Sequence, residues 1–265
     1  MSLGMVVKGP EGLVLAAESR VTLTATPPQG PAIQVNFDNA TKLLSFADLH
    51  PYVGAVTYGL AAIGLRTAYS FMPEFEANLP NNRLSIGDFA RRLSEFFIGQ
   101  WQTAMPQEYR GPNMTFVVAG FNEGEPYGRV FVFDIPGNPN AVEHHSGPNE
   151  FGITWGGQRQ FVDRLISGYD GMLIPVLAQE LNLQPPQVQQ MVQVLQRLQM
   201  QIPLQAMPLQ DCVDLAVFFL RTTIYAQRLT VGIRGCGGAI DVAVITRREG
   251  IKFIQKKEIR GEIGS

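Results

Sequence analysis

The chain has 265 residues, of which 45% are hydrophobic and 17% charged, and a formal net charge of −2. That length supports one large domain or two small ones with a substantial core, and the apolar balance excludes a disordered chain while leaving extra surface to bury against partners. Lys and Arg are scattered rather than striped, which argues against nucleic acid as a partner. The longest apolar stretches, "LAVFFL" and "VGAVTYGLAAIGL", fall far short of the roughly 20 residues that span a bilayer, so no membrane role is expected.

The sequence opens without the basic region and apolar run of a signal peptide, and a cytoplasmic location is expected. Cys212 and Cys236 have no metal-like spacing and define no disulfide framework. Cys212 lies in an apolar helical run and reads as a buried thiol. Cys236, in "RGCGG", has no neighbouring His to activate it.

In chain order, residues 3–8 and 12–18 are apolar runs around "GPEG", a hairpin whose turn is set by Gly9, Pro10 and Gly12. "TPPQGP" at 26–31 is a loop, and "TKLLSFAD" with "YVGAVTYG" makes a further strand pair joined near Asp48–Pro51. From Leu60 the period becomes helical through Ile63, Gly64, Thr67, Phe71 and Phe75, with Pro73 expected to bend the helix. A second helix starts at Ser85, where Asp88 completes a capping box, and its stripe is Phe89, Leu93, Phe96, Phe97 and Trp101. These aromatics at helical spacing are expected in the core.

Four short runs follow, "MTFVVAGFN", "GRVFVFDIPG", "AVEHHS" and "FGITWGG", giving a second all-β block. His144 and His145 invite a metal, but adjacent strand residues point to opposite faces, so no metal site is expected. A long helical region runs from Gln158 to about Leu229, and its glutamine-rich part places Val188, Met191, Val192, Leu195 and Leu198 on one face. "IDVAVITRREG" and "IKFIQKKEI" close the chain as a hairpin. Strands split by helix pairs do not give a doubly wound parallel sheet, whereas two packed antiparallel sheets, each covered by helices, satisfy this order. The expected fold is therefore α+β, a four-layer αββα sandwich in a single domain spanning 1–265, with a helical insertion at about 167–207.

The segments "VVKGPEGLVLAAESRVT", "TKLL", "YVGAVTYGLAAIGLRT" and "GGAIDVAVIT" resemble the proteasome subunit superfamily, including bacterial proteasome-like proteases. The resemblance covers residues 2–72 well, weakens through 114–166 and returns at 209–246. It implies the N-terminal nucleophile hydrolase fold, in which the first residue of the mature chain attacks an amide carbonyl and its own α-amine moves the proton. Such an amine has an unperturbed pKa of about 8, close enough to neutrality to accept a hydroxyl proton. A nearby lysine lowers it further by repulsion.

Carried over without a gap, the pattern puts the nucleophile at Ser2, the turn glycine at Gly12, the acidic residue at Glu18 and the arginine at Arg20. Removal of Met1 before the small Ser2 would free the amine. The family lysine corresponds to Lys42, the oxyanion glycine at a strand-to-helix junction to Gly59, and a supporting turn to Gly157 and Gln158. The chain departs from the pattern in three places: Ser replaces Thr, Glu18 replaces a shorter Asp, and Leu229 stands where a second aspartate belongs. Glu18 and Arg20 can also form a salt bridge at the strand end.

The resemblance implies a peptidase acting on unfolded polypeptides, assembled as a homo-oligomer of stacked rings and served by an ATP-dependent unfoldase, with no cofactor and no metal. Two other readings stay open. Non-catalytic α-type subunits carry glutamate in their "VEKR" motif, so a structural ring subunit fits too, and an N-terminal nucleophile amidase acting on a smaller amide also fits residues 2–42.

Overall fold

The computed structural model describes residues 2–25, 30–31, 33–46, 50–147, 149–232 and 234–261. The loop expected at 26–31 and the turn expected near Asp48–Pro51 lie mostly outside them, as does Met1. Among the described residues, twelve strands form two five-stranded antiparallel sheets and a separate two-stranded one. The first sheet comprises β1 (Leu3–Lys8), β2 (Leu13–Glu18), β10 (Gly152–Gly157), β11 (Ile240–Thr246) and β12 (Gly250–Gln255), in the order β10-β1-β2-β11-β12. The second has β5 (Leu43–Ser45), β6 (Val53–Gly59), β7 (Met114–Gly120), β8 (Arg129–Ile135) and β9 (Asn138–His144), side by side in chain order. The two-stranded sheet is β3 (Val21–Ala25) with β4 (Ile33–Phe37).

Alternation along β1 explains why all six of its residues are apolar or buried. Leu3, Met5 and Val7 face the helical layer that holds α6 (Leu209–Leu229), while Val6 enters the core between the sheets with Leu13, Leu15, Val56 and Val117. A strand covered on both faces reads as a continuous apolar run. The second sheet is covered by α2 (Ile86–Ala104), whose Phe89, Leu93, Phe97 and Trp101 pack with Phe116 and Phe133. The four layers are thus helices, sheet, sheet, helices, as the block order implies.

The sheets are keyed together by glycine. Gly4 and Gly156 are partners across β1 and β10, and a Cβ on either would overlap Val56 or the Tyr58 ring of the facing sheet. The missing side chains make a notch for Tyr58.

Three expectations need correction. Residues 60–67 are not helical: Ile63 and Arg66 exchange an isolated bridge, with Gly64 at φ +58°. The helical pattern is realised only as a short 3-10 turn at Ala68–Phe71 and α1 (Met72–Glu76), where Pro73 sits in the first turn and opens the helix instead of bending it. At Ser85 the hydroxyl accepts from the Asp88 amide at 3.1 Å, but the Asp88 carboxylate accepts from that same hydroxyl at 2.8 Å and not from a backbone amide. Finally, the second β block is divided, because β10 crosses to the first sheet and lies against β1.

The helical region after β10 contains α3 (Gln160–Ser167), α4 (Leu173–Glu180), α5 (Pro185–Leu195) and α6. Neither α4 nor α5 buries a residue. The segment leaves and rejoins the body at one place, since Gly168 abuts Leu198 and the Met200 amide donates to the Ile166 carbonyl at 2.8 Å. Among the described residues no helix is long and apolar enough to cross a membrane.

Candidate active site

Ser2 lies at the head of β1 and is 4% exposed. Its carbonyl accepts from the Gln158 amide at 2.7 Å. Gly157 pairs with Leu3 across the sheet at φ +91°, and a Cβ there would overlap the Ser2 carbonyl oxygen. Gly157 therefore permits a close backbone approach that any side chain would forbid.

Glu18 ends β2, one strand over from Ser2, and is 1% exposed. Its Oε1 accepts from the Leu3 amide at 3.3 Å, and its Oε2 from the amides of Arg20 at 2.7 Å and Gly237 at 2.9 Å. The Lys42 ammonium donates to Glu18 Oε1 and to the Arg20 carbonyl. Lys42 precedes β5 and is held from the other side by β6, because its carbonyl accepts from the Thr57 amide at 2.9 Å. A buried carboxylate met by an ammonium and three amides is one whose charge is compensated.

Burial pushes the Lys42 ammonium below its ordinary pKa of 10.5, with the Glu18 charge pulling the other way. Burial likewise raises Glu18, against the pull of Lys42 and the amide donors. An amine so placed loses its proton more readily than a surface lysine, which suits it to polarise a neighbouring hydroxyl.

Ser2 and Lys42 line one narrow cleft with Thr57, Tyr58, Ala68 and Met114. Burial and the Asp134 charge push the Tyr58 hydroxyl up to about 12, so it stays protonated. Gly59 falls between Tyr58 and Leu60, two cleft residues, at φ +88° where a Cβ would overlap the Asn113 carbonyl. It ends a strand, but the segment after it is irregular, so it does not sit at a strand-to-helix junction.

Arg20 differs from expectation. Its guanidinium does not reach Glu18; it grips Asp38 through two bonds of 2.6 and 2.7 Å and donates to the Arg234 carbonyl at 3.2 Å. The residue serves the site through its backbone, which donates to Glu18 and accepts from Lys42. The physical reason is that Asp38 offers the guanidinium both carboxylate oxygens, whereas those of Glu18 are already taken by three backbone amides and the Lys42 ammonium.

Leu229, at the end of α6, is 87% exposed and brings nothing to the cleft. Cys236 is buried beside the Glu18 charge, and both effects push its thiol well up, so it is not a reactive thiol; burial pushes Cys212 up to about 11. His145 turns to Thr154 and Glu150, and its ring is perpendicular to that of His144 at 6.2 Å.

Four contributors escape sequence reading: Asp38, Tyr58, Gly237 and Gln227. Asp38 and Gly237 act through long-range contacts with no local signature. Tyr58 is flagged only by the two glycines opposite it. Gln227, a glutamine inside an apolar helix stripe, is the one with a visible signal, since a buried amide requires partners.

No protein-family profile matches the sequence, and no curated protein sequence is significantly similar to it. Among solved structures the chain is similar to that of Anbu, a Gly-1 mutant, from Hyphomicrobium sp. strain MC1, with a TM-score of 0.56 and 15% identity over 96% of this chain and 88% of that one. At that identity the likeness is one of fold, and it extends over nearly the whole chain.

Proposed function

We propose that the chain is a proteasome-like N-terminal nucleophile hydrolase that cleaves peptide bonds with Ser2 as nucleophile. The observation that carries this reading is the buried Lys42 amine, fixed between Glu18 and the Arg20 carbonyl and facing the same cleft as Ser2. Likeness in fold to Anbu, a bacterial proteasome-like protein, supports it.

Loss of Met1 frees the Ser2 amine. The hydroxyl oxygen then attacks the substrate carbonyl carbon while its proton passes to that amine, polarised by Lys42. The proton moves on to the departing nitrogen as the amide bond breaks, leaving an ester on Ser2. Water attacks the ester, returns a proton to Ser2 and releases the acid product. Gly59 is assigned to the oxyanion, with its amide as donor, and Gly157 to support of the nucleophile. Glu18 replaces the shorter carboxylate because its longer side chain reaches from the strand end to Lys42 and three amides at once.

The substrates are unfolded polypeptides entering a chamber formed by stacked rings of this chain in the cytoplasm, delivered by an ATP-dependent unfoldase. The competing reading is a structural ring subunit, and the observation that favours it is exposed Leu229 in place of the second aspartate.

Intact mass of protein made without a tag, before and after an epoxyketone that links both the hydroxyl and the amine of an N-terminal residue, tests the assignment. Loss of Met1 with one adduct on Ser2 is expected. Retention of Met1 on every molecule rejects the catalytic reading.

A further inference from the structure

We infer that Gln227 is a positioning residue, which holds the Ser2 end of the chain in register with Glu18 through a relay of side-chain amides. This rests on the assignment of Ser2 as nucleophile. The relay starts at the Ser2 carbonyl, which accepts from the backbone amide of Gln158 at 2.7 Å. The Gln158 side-chain oxygen accepts from Gln227 Nε2 at 3.1 Å, and Gln227 Oε1 accepts from the Cys236 amide at 2.8 Å. The next amide, that of Gly237, donates to Glu18 Oε2 at 2.9 Å. Glu18 Oε1 in turn accepts from the Leu3 amide at 3.3 Å, the residue after Ser2.

The path is a closed circuit around the end of β1, and three segments far apart in sequence share it. Gln227 is its only member on a helix and is 5% exposed. A glutamine suits this place because one uncharged group supplies both the donor and the acceptor. It adds no charge beside the Lys42–Glu18 pair, so its effect is on position and not on ionisation. A nucleophile misplaced by about 1 Å loses on the order of a hundredfold in rate, and the circuit holds Ser2 through its own carbonyl and through the Leu3 amide that follows it.

The test compares Gln227→Ala, Gln158→Ala and the double variant by hydrogen exchange and by peptide hydrolysis. Gln227→Ala is expected to speed exchange roughly tenfold or more in both 156–160 and 234–240 while β7 stays protected, because local opening is confined to the broken circuit. It is also expected to lower kcat by about 10- to 100-fold with KM unchanged. Gln158→Ala should reproduce both effects, and the double variant should add nothing, as for two members of one chain of contacts. Unchanged exchange in either segment, or additive losses, overturns the inference. Absence of hydrolysis by the parent protein rejects the Ser2 assignment instead, and the exchange data still decide the relay. If Gln227→Ala does not fold, Gln158→Ala, whose side chain lies at the surface end of the circuit, carries the same comparison.

Discussion

The Lys42 ammonium and the Glu18 carboxylate meet beneath the N-terminal strand with side-chain exposures of 7% and 0%. Removing one partner of such a pair leaves an uncompensated buried charge, which costs about 3–5 kcal/mol. Glu18→Ala is therefore expected to lower the urea midpoint sharply. Glu18→Gln keeps one acceptor for the amides but leaves the same unpaired Lys42 ammonium, so it is expected to lose nearly as much, and a Gln variant as stable as the parent would show that the charge is not what the site uses.

Lys42→Met keeps most of the buried volume and removes the amine. Loss of a positioned proton-handling group lowers rates by about 10²–10⁴-fold, so epoxyketone modification of Ser2 should slow by that factor in the folded protein, and stability should fall too because the Glu18 carboxylate loses its buried counter-charge. The rate in the parent protein should rise with pH and level off below 10.5, because burial lowers the Lys42 pKa and the neutral amine forms earlier than in free lysine. Lys42→Arg, with a guanidinium that stays charged, should keep only the part of the rise that belongs to the Ser2 α-amine, near its ordinary value of about 8.

Asp38 is held below its ordinary value of 3.8 by its two bonds to Arg20. A carboxyl depressed on folding contributes stability that is present above the unfolded value and lost as pH falls through the folded one. Parent stability should therefore drop as pH falls below about 3.8, and Asp38→Asn should flatten that part of the curve in urea titrations at successive pH values. The pair is partly exposed, so the effect is modest and weakens with salt.

Gly156→Ala places a methyl group against Tyr58 and Gly4→Ala places one against Val56. Overpacking of this kind costs about 1–3 kcal/mol. Both variants should lose stability, and Tyr58→Ala should restore part of the loss in Gly156→Ala but little in Gly4→Ala, which a double-mutant cycle by chemical denaturation would read.

We further propose that the segment carrying α4 and α5 is an insertion on a complete sandwich. Because neither helix buries a residue and its two ends meet at Gly168 and Leu198, replacing 171–197 by a short Gly-Ser linker should leave the denaturation midpoint nearly unchanged. A large drop would make the segment part of the core.

Local patterning made the strands legible. Continuous apolar runs such as "LGMVVK" and "LVLAAE" are what a strand covered on both faces requires, and the Ser85 cap with its aromatic stripe identifies α2. The same reasoning failed at 60–67, where apolar spacing fits a helix but two glycines at positive φ, Gly59 and Gly64, divert the backbone. The family resemblance, carried over residue by residue, also pointed to Glu18, Lys42, Gly59 and Gly157.

What the amino-acid order determined by itself is the set of periodic elements, their order and the residues eligible for the site, since these depend on contacts within a hairpin or a helix turn. What only the tertiary structure decided is who partners whom. Arg20 turns to Asp38 and not to Glu18, β10 crosses to lie against β1, and Gln227 and Gly237 arrive from the far end of the chain to complete the surroundings of Ser2 and Glu18. Those outcomes rest on buried polar groups finding donors and acceptors across long loops, and a requirement met at a distance leaves no periodic trace in the sequence.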